Sequence, residues 1–435
     1  MYHKSRIDSL YDLISGDEDA RVCKDIPDSA CNHQPHNFFT YLGANLLGKV
    51  ADEIASARLV LPWLLGVLGT PAVFIGFLVP IREAGVLIPQ LAVAAYIRAM
   101  AIRKWVWVAG AALSAVALLL MGLAGLFLAG TTAGWAIIAT LVLFSLARGL
   151  CSVAAKDVLG KAVSKSRRGR LMGLATAAAG LATLAIGLVV EFQARGNGDQ
   201  LLVAGLLLLA AAIWVPAIGL FAAIREAPGA TSGGGNALTE ALRHLALLKT
   251  DAVFRRYVIG RMWLLAVALA APFYVLLAQS RTDGEVSGLG LLMIAGAIAA
   301  SVSAPLWGWL GDRSSRRVMA AAAALAGVLG IGTWALADTP WLDHGYVHAA
   351  IFLVLNVAHS GVRLGRKVYL VDLGSQDNRA AMVAVSNTVI GIAMLGAGAV
   401  GLLADRVGTA EVILVLGVLS LVAAAYALRL PEVSD

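Results

Sequence analysis

The chain has 435 residues, of which 59% are hydrophobic and 14% are charged, and its formal net charge is +7. Soluble proteins carry about 25% charged residues, so this composition excludes an ordinary soluble protein and favours one embedded in a membrane. The positive charge does not indicate nucleic-acid binding, because the Lys and Arg residues gather in short loops between apolar stretches, where they orient a membrane protein.

Residues 1–37 precede the first apolar stretch, and we expect no signal peptide there because an apolar core and a cleavage site are lacking. The spacing of apolar side chains at residues 7–14 predicts a short amphipathic helix on the membrane surface. Four potential zinc ligands follow: Cys23, Cys31, His33 and His36. Their spacing matches no compact zinc finger, so we predict no metal and no cofactor, and favour a reduced cytosolic tail folded against the loops.

The first long apolar stretch, residues 38–68, is long enough to cross a bilayer, which needs about 20 apolar residues. Four charges nevertheless lie inside it: Lys49, Asp52, Glu53 and Arg58. A charge that faces lipid at mid-membrane costs about 3 kcal/mol, so this span must border other protein or a wet cavity. The first three charges share one face of a helix, opposite Arg58, although Lys49 could simply neutralise an acid one turn away.

Eleven more apolar stretches follow, so the sequence predicts an all-α membrane protein with about twelve transmembrane helices. We place these stretches near residues 71–97, 105–128, 134–158, 170–191, 200–224, 256–278, 286–310, 317–337, 346–371, 379–403 and 410–428. A flexible Gly-rich break separates the sixth span from the seventh. The predicted divisions are a cytoplasmic tail at 1–37, a six-helix bundle at 38–224, a cytoplasmic loop with an amphipathic helix at 225–255, a second six-helix bundle at 256–428 and a tail at 429–435.

Basic residues mark every second loop of the first eight spans. The loops after the second, fourth, sixth and eighth spans are rich in Lys and Arg, whereas the alternating loops are nearly free of them. The positive-inside rule therefore places both termini in the cytoplasm of a protein of the inner membrane. Residues 156–173 and 366–384 also share a pattern of basic pair, span end and polar loop, which is the register of two parallel repeats.

The loop after the eighth span reads GWLGDRSSRR. It resembles the signature loop of the major facilitator superfamily, G-x-L-x-D-R-x-x-R-R, although a plain positively charged loop is the alternative explanation. The glycine would let two helices approach, the acid could accept from a helix N-terminus or an arginine, and the basic residues would anchor the cytoplasmic face. The candidate conformational latch comprises Gly308, Asp312, Arg313, Arg316 and Arg317.

The resemblance covers residues 38 to about 430 and implies two six-helix bundles that rock around a central site. The sequence departs from the family pattern in its first half, where the equivalent loop keeps basic residues but lacks the glycine and the acid. The fourth span resembles a motif of proton-coupled members, with Arg148 retained and Cys151 in place of glutamine. The fifth span lacks the Gly-Pro pair of drug/proton antiporters.

Depth along the helices selects the candidate site. Counted from an outer turn at residues 69–70, Arg58 and Arg82 both lie about 17 Å into the membrane. Two ion pairs between neighbouring helices are therefore open alternatives: Arg58 with Glu83, or Arg82 with Glu53. Arg148 and His359 lie at a similar depth without an evident acidic partner. The candidate solute-binding residues are Arg148, His359, Arg58, Arg82 and Arg363, and the candidate proton carriers are Asp52, Glu53 and Glu83.

The charge balance of these deeper residues tilts positive. Together with the resemblance it favours a monomeric secondary transporter that moves a small anionic or zwitterionic solute by alternating access, with the proton as candidate coupling ion. The alternative is a non-transporting assembly or chaperone protein on the same scaffold, as the light-harvesting-complex assembly branch of the family is thought to be. The sequence contains no phosphate loop with a lysine, nucleophile elbow or zinc-protease helix, so it indicates neither an enzyme nor an ATP-driven pump.

Overall fold

The computed structural model describes residues 26, 31–88, 93, 96–97, 99–193, 199–229, 231, 245–282, 287–311, 313–374 and 378–433. All regular elements in these ranges are helical, which confirms the predicted all-α class. The amphipathic helix predicted at residues 7–14, Cys23 and the latch residue Asp312 lie outside the described residues.

In the first half the described residues form seven helices: α1 (Gln34–Ile54), α2 (Val60–Val67), α3 (Ala72–Leu87), α4 (Lys104–Phe127), α5 (Gly130–Ala162), α6 (Lys165–Gln193) and α7 (Asp199–Ala222). In the second half the described residues form nine: α8 (Leu247–Thr250), α9 (Ala252–Trp263), α10 (Leu265–Arg281), α11 (Ser287–Gly311), α12 (Ser315–Ala335), α13 (Gly345–Leu373), α14 (Arg379–Ala397), α15 (Val400–Val407) and α16 (Thr409–Leu428). A short 3-10 turn, Pro340–Asp343, precedes α13.

Ten helical stretches among the described residues are long and apolar enough to cross a membrane. They correspond to the predicted third to twelfth spans, of which the seventh consists of α9 and α10 and the eleventh of α14 and α15. The predicted first span is divided, because α1 ends at Ile54 and the chain turns at residues 55–59 before α2 begins. Non-helical backbone at membrane depth is tolerated only beside protein or a wet cavity, so this break marks the region of the site.

The helices pack into two groups that meet along a few lines. In the first half α4 packs against α5 and α7, while in the second half α12 packs against α13 and α16. The halves touch where α3 meets α14 and α15, where α6 meets α11, and where α2 meets α10. The first, second, fifth, seventh, eighth and eleventh spans therefore form these contacts between the halves.

Glycines allow the closest approach between the halves. A Cβ added to Gly76 of α3 would lie 2.6 Å from the carbonyl oxygen of Gly398. A Cβ added to Gly290 of α11 would lie 2.6 Å from the backbone nitrogen of Glu191 in α6. Both contacts lie at the end of the bundle that holds the turn at residues 69–70, which we call the outer end after the predicted orientation.

Toward the opposite, inner end, α6 and α11 no longer contact each other closely. A Cβ on Gly169 or Gly173 of α6, or on Gly308 of α11, would meet no other atom of the described residues within 4 Å. Gly308, predicted to allow a close helix approach, thus borders open space in this part of the structure. Among the described residues, α6 and α11 therefore contact each other at the outer end and leave an opening toward the inner end.

A buried carboxylate ties the loops of the first half together at the inner end. Glu226, which follows α7, accepts from the backbone nitrogens of Arg103 at 3.0 and 2.9 Å and of Lys104 at 2.7 Å. It also pairs with Lys161 Nζ at 3.0 Å. Asp157 binds Lys161 at 2.8 Å and pairs with Arg103. This first-half clamp supplies the acids that the loop after the second span lacks.

The predicted latch loop forms a similar contact in the second half. Glu432 accepts from Ser314 Oγ at 3.0 and 2.9 Å and from Arg316 Nε at 2.8 Å. The guanidinium of Arg313 lies 4.2 Å from the ring centroid of Trp309. Ser314 caps α12 by accepting from the backbone nitrogen of Arg317. These three arginines therefore lie at the inner end, and Arg316 binds the C-terminal segment of its own half.

Candidate functional site

Asp52 of α1 lies between two arginines at the middle of the first half. Arg148 Nη2 of α5 donates to its Oδ2 at 2.7 Å, and Arg82 Nη2 of α3 lies 3.6 Å from its Oδ1. The Arg148 guanidinium also lies 4.7 Å from the ring of Trp214, and that of Arg82 lies 5.1 Å from the ring of Phe144. Both arginines are therefore held by an acid and an aromatic ring, a cation–π arrangement that favours a fixed position.

A second pair lies beside this group. Arg58, in the break between α1 and α2, places Nη2 3.5 Å from Glu83 Oε1 of α3. This confirms the pairing predicted from equal depth along neighbouring spans. The pair is about one-quarter to two-fifths exposed, so it borders water rather than lying in dry packing.

One expectation and one open alternative from the sequence differ from the structure. Arg148, expected to lack an acidic partner, binds Asp52, and Arg82 also pairs with Asp52 and not with Glu53. Depth along one unbroken helix increases by about 1.5 Å per residue, whereas the turn at residues 55–59 interrupts that rise. Successive helical residues also point about 100° apart, so Asp52 faces α3 and α5 while Glu53 faces the space between the halves.

Two cavities lie between the halves at this level. The smaller, of about 220 Å³, is lined by α1, α6, α11 and α13, and the larger, of about 330 Å³, mainly by α1 and α3. The two cavities share five lining residues: Lys49, Glu53, Ser56, Arg58 and Arg363. Because Arg363 comes from α13 and the others from the first span, both halves contribute charge to one connected site.

Three of these lining charges have no ion pair among the described residues. The N–O contacts within 4.0 Å in that part of the chain do not include Lys49, Glu53 or Arg363. The self-neutralising pair considered for Lys49 is thus not formed. Glu53 and Arg363 are both exposed to the cavities, so each can meet a solute or a proton.

His359 of α13 is buried, yet it lines the smaller cavity. Its Nε2 has no hydrogen-bond partner among the described residues. Asn356 and Ser360 lie beside it, and Thr176 and Thr183 of α6 line the same cavity. A neutral imidazole can donate from one nitrogen and accept at the other, so this wall offers polar groups of both kinds.

Sequence reasoning missed the buried charge of Arg261 in α9. It is 6% exposed and donates to Ser386 Oγ and, at 3.3 Å, to Asn387 Oδ1, both in α14. No carboxylate of the described residues lies within ion-pair distance of it. A charged residue within an apolar span is by itself an indication of function, and this signal was present five residues into the predicted seventh span.

The second half carries further cations toward the inner end. Arg366 and Lys367 of α13 lie one turn beyond Arg363, and Lys156 of α5 approaches from the first half. Lys367 lies within electrostatic range of Arg363, Arg366 and Lys156. The inner opening is therefore bordered by positive charge from both halves.

The N-terminal residues do not form a metal site in the described part of the chain, where no group of three or more His, Cys, Asp or Glu could hold an ion. His33 contacts Arg225 at 3.0 Å, and His36 contacts the carbonyl of Ala223 at 3.0 Å. Cys31 is disulfide-bonded, whereas Cys151 is free and buried. The expectation of a reduced tail is thus wrong at Cys31, because it was inferred from compartment alone.

Comparisons with known proteins agree with this geometry. Residues 265–435 match the model of the Major Facilitator Superfamily. Uncharacterised proteins of Mycobacterium tuberculosis and Mycobacterium bovis are 26% identical over 325 residues, which make up 72% of this chain and 59% of theirs. The chain thus spans less than two-thirds of the length of these curated relatives.

Three solved structures are similar over nearly the whole chain. A D-xylose-proton symporter has a TM-score of 0.68 at 14% identity and covers 91% of this chain and 97% of its own. A mutant of the nucleoside transporter NupG has a TM-score of 0.70 at 16% identity and covers 90% of this chain and 99% of its own. A POT family transporter in complex with a thioalcohol conjugated peptide has a TM-score of 0.67 at 13% identity and covers 93% of this chain and 98% of its own. At these identities the likeness establishes the fold, including the two pseudo-symmetric six-helix bundles. The chain therefore has the fold of these transporters, and its residues 265–435 match the model of the Major Facilitator Superfamily.

Proposed function

We propose that this chain is a secondary transporter that carries a small anionic solute across the inner membrane by alternating access, coupled to protons. The observation that carries the proposal is the connected cavity between the halves, lined by charges of both. Charged side chains inside a membrane are costly, and charges that border a wet cavity can be retained for a solute. The proposal includes a monomer with both termini in the cytoplasm.

The sign of the solute follows from the charges that lack an ion pair. Among the described residues that line the cavities, Glu53 is the acid without an ion pair, and it stands one helical turn from Lys49. Unpaired cations outnumber it, and they continue from the cavity to the inner opening: Lys49, Arg363, Arg366, Lys367 and Lys156. A cleft with an excess of one charge concentrates ions of the opposite charge, which supports an anionic solute.

We assign a role to each basic residue of the site according to whether it already has a partner within the protein. Arg363 is the exposed cation contributed by the second half, and we assign to it the anionic group of the solute. His359, with its free Nε2, would orient the solute in the smaller cavity. Arg148 and Arg82 already share Asp52, so we assign them to holding α1 in place.

Glu53 is the proton carrier that the geometry supports best. Unlike Asp52 and Glu83, it makes no ion pair among the described residues and faces both cavities. A carboxylate that takes up a proton before the solute and the proton cross together must be accessible and must not be held in an ion pair. The alternative, in which Glu53 binds an ammonium group, would make the solute zwitterionic.

The test begins with purified protein screened by thermal shift against organic acids, amino acids and sugars, followed by uptake into proteoliposomes that contain a pH dye. Addition of an organic acid that the protein binds should acidify the lumen, and Glu53→Gln should abolish this proton flux while solute exchange persists. If only amino acids bind and Glu53→Gln abolishes binding itself, the solute is zwitterionic. Absence of transport, together with stable co-purification of a pigment or protein, would support the assembly role instead.

A further inference from the structure

A carboxylate of the second half binds the first turn of a helix in the first half at the outer end. Asp405 of α15 accepts from the backbone nitrogen of Ala72 at 2.7 Å through Oδ1 and from that of Val73 at 2.9 Å through Oδ2. Ala72 and Val73 are the first two residues of α3. Their N–H groups have no partner within their own helix and carry partial positive charge, so both bonds are charge-assisted.

The position of Asp405 is unfavourable for its own helix. It is the third residue from the end of α15, which ends at Val407. An acid in the last turn faces the negative end of its helix dipole, so the stability of α15 does not explain this residue. Its favourable contacts are with α3, across the boundary between the halves.

The glycine contacts at the outer end make this bond possible. A Cβ on Gly401, one turn before Asp405, would lie 2.6 Å from the carbonyl oxygen of Ala72 and 2.8 Å from Cα of Val73. Without a side chain at Gly401, α15 approaches α3 closely enough for the carboxylate to reach the helix start. The close packing and the hydrogen bonds therefore belong to one contact.

We propose that Asp405 is a latch that keeps the outer end of the pathway closed. Its two bonds join the halves and cannot survive when the halves separate at this end. They therefore stabilise the closed state relative to the outward-open state without touching the cavity. This inference rests on the contact itself and holds whether or not the proposed solute and proton coupling are correct.

The test measures access to the cavity from each side of the membrane. Thr183, which lines the smaller cavity, is replaced by cysteine as a reporter. Right-side-out and inside-out vesicles are then treated with a membrane-impermeant maleimide, and labelling of the same protein without the reporter is subtracted. We call the side of the membrane that Asp405 closes the latched side. It is identified as the side from which the maleimide does not label the reporter cysteine when Asp405 is unaltered, so the test does not depend on the predicted orientation.

The decisive variant is Asp405→Asn, which keeps the size of the side chain but removes its charge. We expect the labelling rate from the latched side to rise about five- to tenfold, as for a loss of two charge-assisted contacts at a helix terminus. Labelling from the open side should not change. Gly401→Ala, which separates the same contact sterically, should raise labelling from the latched side as well.

The matched control is Asp343→Asn. Asp343 also lies at the outer end, but its carboxylate faces Arg281 of its own half at 3.8 Å. Its replacement should leave labelling from the latched side unchanged. Equal labelling of Asp405→Asn and Asp343→Asn would overturn the proposal. A lower melting temperature of Asp405→Asn without increased labelling would also overturn it, because Asp405 would then act only as a helix cap.

Discussion

The two halves share one structural contact but differ in how they treat charge. In the first half Tyr41 donates to the carbonyl of Ala155 at 3.0 Å, and in the second Tyr257 donates to that of Arg366 at 2.6 Å. Each bond joins the first span of a half to the fourth span of the same half. The bonds therefore identify equivalent positions, and residues at equal spacing from them can be compared between the halves.

Two turns before these carbonyls the halves differ in charge. Arg148 stands seven residues before Ala155 and is neutralised by Asp52. His359 stands seven residues before Arg366, and its Nε2 has no partner in the described part of the chain. In the first half this level is occupied by a completed ion pair, and in the second by a group that can still bind.

The difference recurs one turn after the tyrosines, where the first half has Asn45 and the second has Arg261. The first half thus pairs its deep arginines with acids, while the second half places cations where no acid of the described residues reaches them. We infer that the two halves have different roles. The ion pairs of the first half hold its helices in place, and those cations of the second half attract and bind the solute. The following changes test these roles.

The largest effect is expected for Asp52→Asn, which removes the acid shared by two arginines. Loss of one partner of a buried ion pair costs about 3–5 kcal/mol, and because this group is partly exposed we expect about 2–3 kcal/mol of the free energy of unfolding. Thermal unfolding in lipid nanodiscs measures the loss. Asp372→Asn, an exposed acid of α13, is the control and should change stability by less than about 0.5 kcal/mol. Equal stability of the two variants would remove Asp52 from the scaffold.

Arg363→Gln should have the opposite profile, with transport lost and stability kept. Loss of a charge-assisted contact to the solute corresponds to about 2 kcal/mol, or roughly a thirtyfold drop in solute affinity. Binding by thermal shift and initial rates of uptake measure the effect. Arg256→Gln, an exposed arginine near the start of α9, should behave like unaltered protein. Normal uptake by Arg363→Gln would disprove the assigned role.

A smaller effect is expected for Arg261→Gln. Its charge lies farther from the cavity residues but adds to the positive field of the second half, so we expect the KM for an anionic solute to rise about fivefold. Because a buried guanidinium without an acidic partner is costly, its removal should leave stability unchanged or improve it. A drop in stability with unchanged KM would assign Arg261 to helix packing, through Ser386 and Asn387.

Sequence patterns predicted the third to twelfth spans and part of the site, whereas the first predicted span is divided in the structure. Apolar length predicted the spans because each helix must cross a layer of fixed thickness, and equal depth predicted the pair of Arg58 with Glu83. The partner of Arg148 was not predictable from depth, because the break in the first span shifts Asp52 relative to a straight helix. Arg261 lay close to a span end, where a basic residue is common and draws little notice.

The sequence could not predict contacts between residues that are far apart along the chain. The bond between Asp405 and the start of α3 joins residues 333 positions apart, and no local pattern marks such a partner. The acids that hold the loop after the second span, Asp157 and Glu226, likewise come from other parts of the chain. A family motif located these loops, but it did not indicate which carboxylate would bind them.

The break in the first span also has a mechanical consequence. Its inner piece, α1, packs against α6 and α7 of its own half, whereas its outer piece, α2, also packs against α10 of the other half. Gln279 of α10 donates to the carbonyl of Trp63 in α2 at 3.0 Å. The non-helical residues 55–59 divide the span into two helices. The outer helix, α2, can therefore tilt together with the opposite half while α1 keeps its charged residues in place.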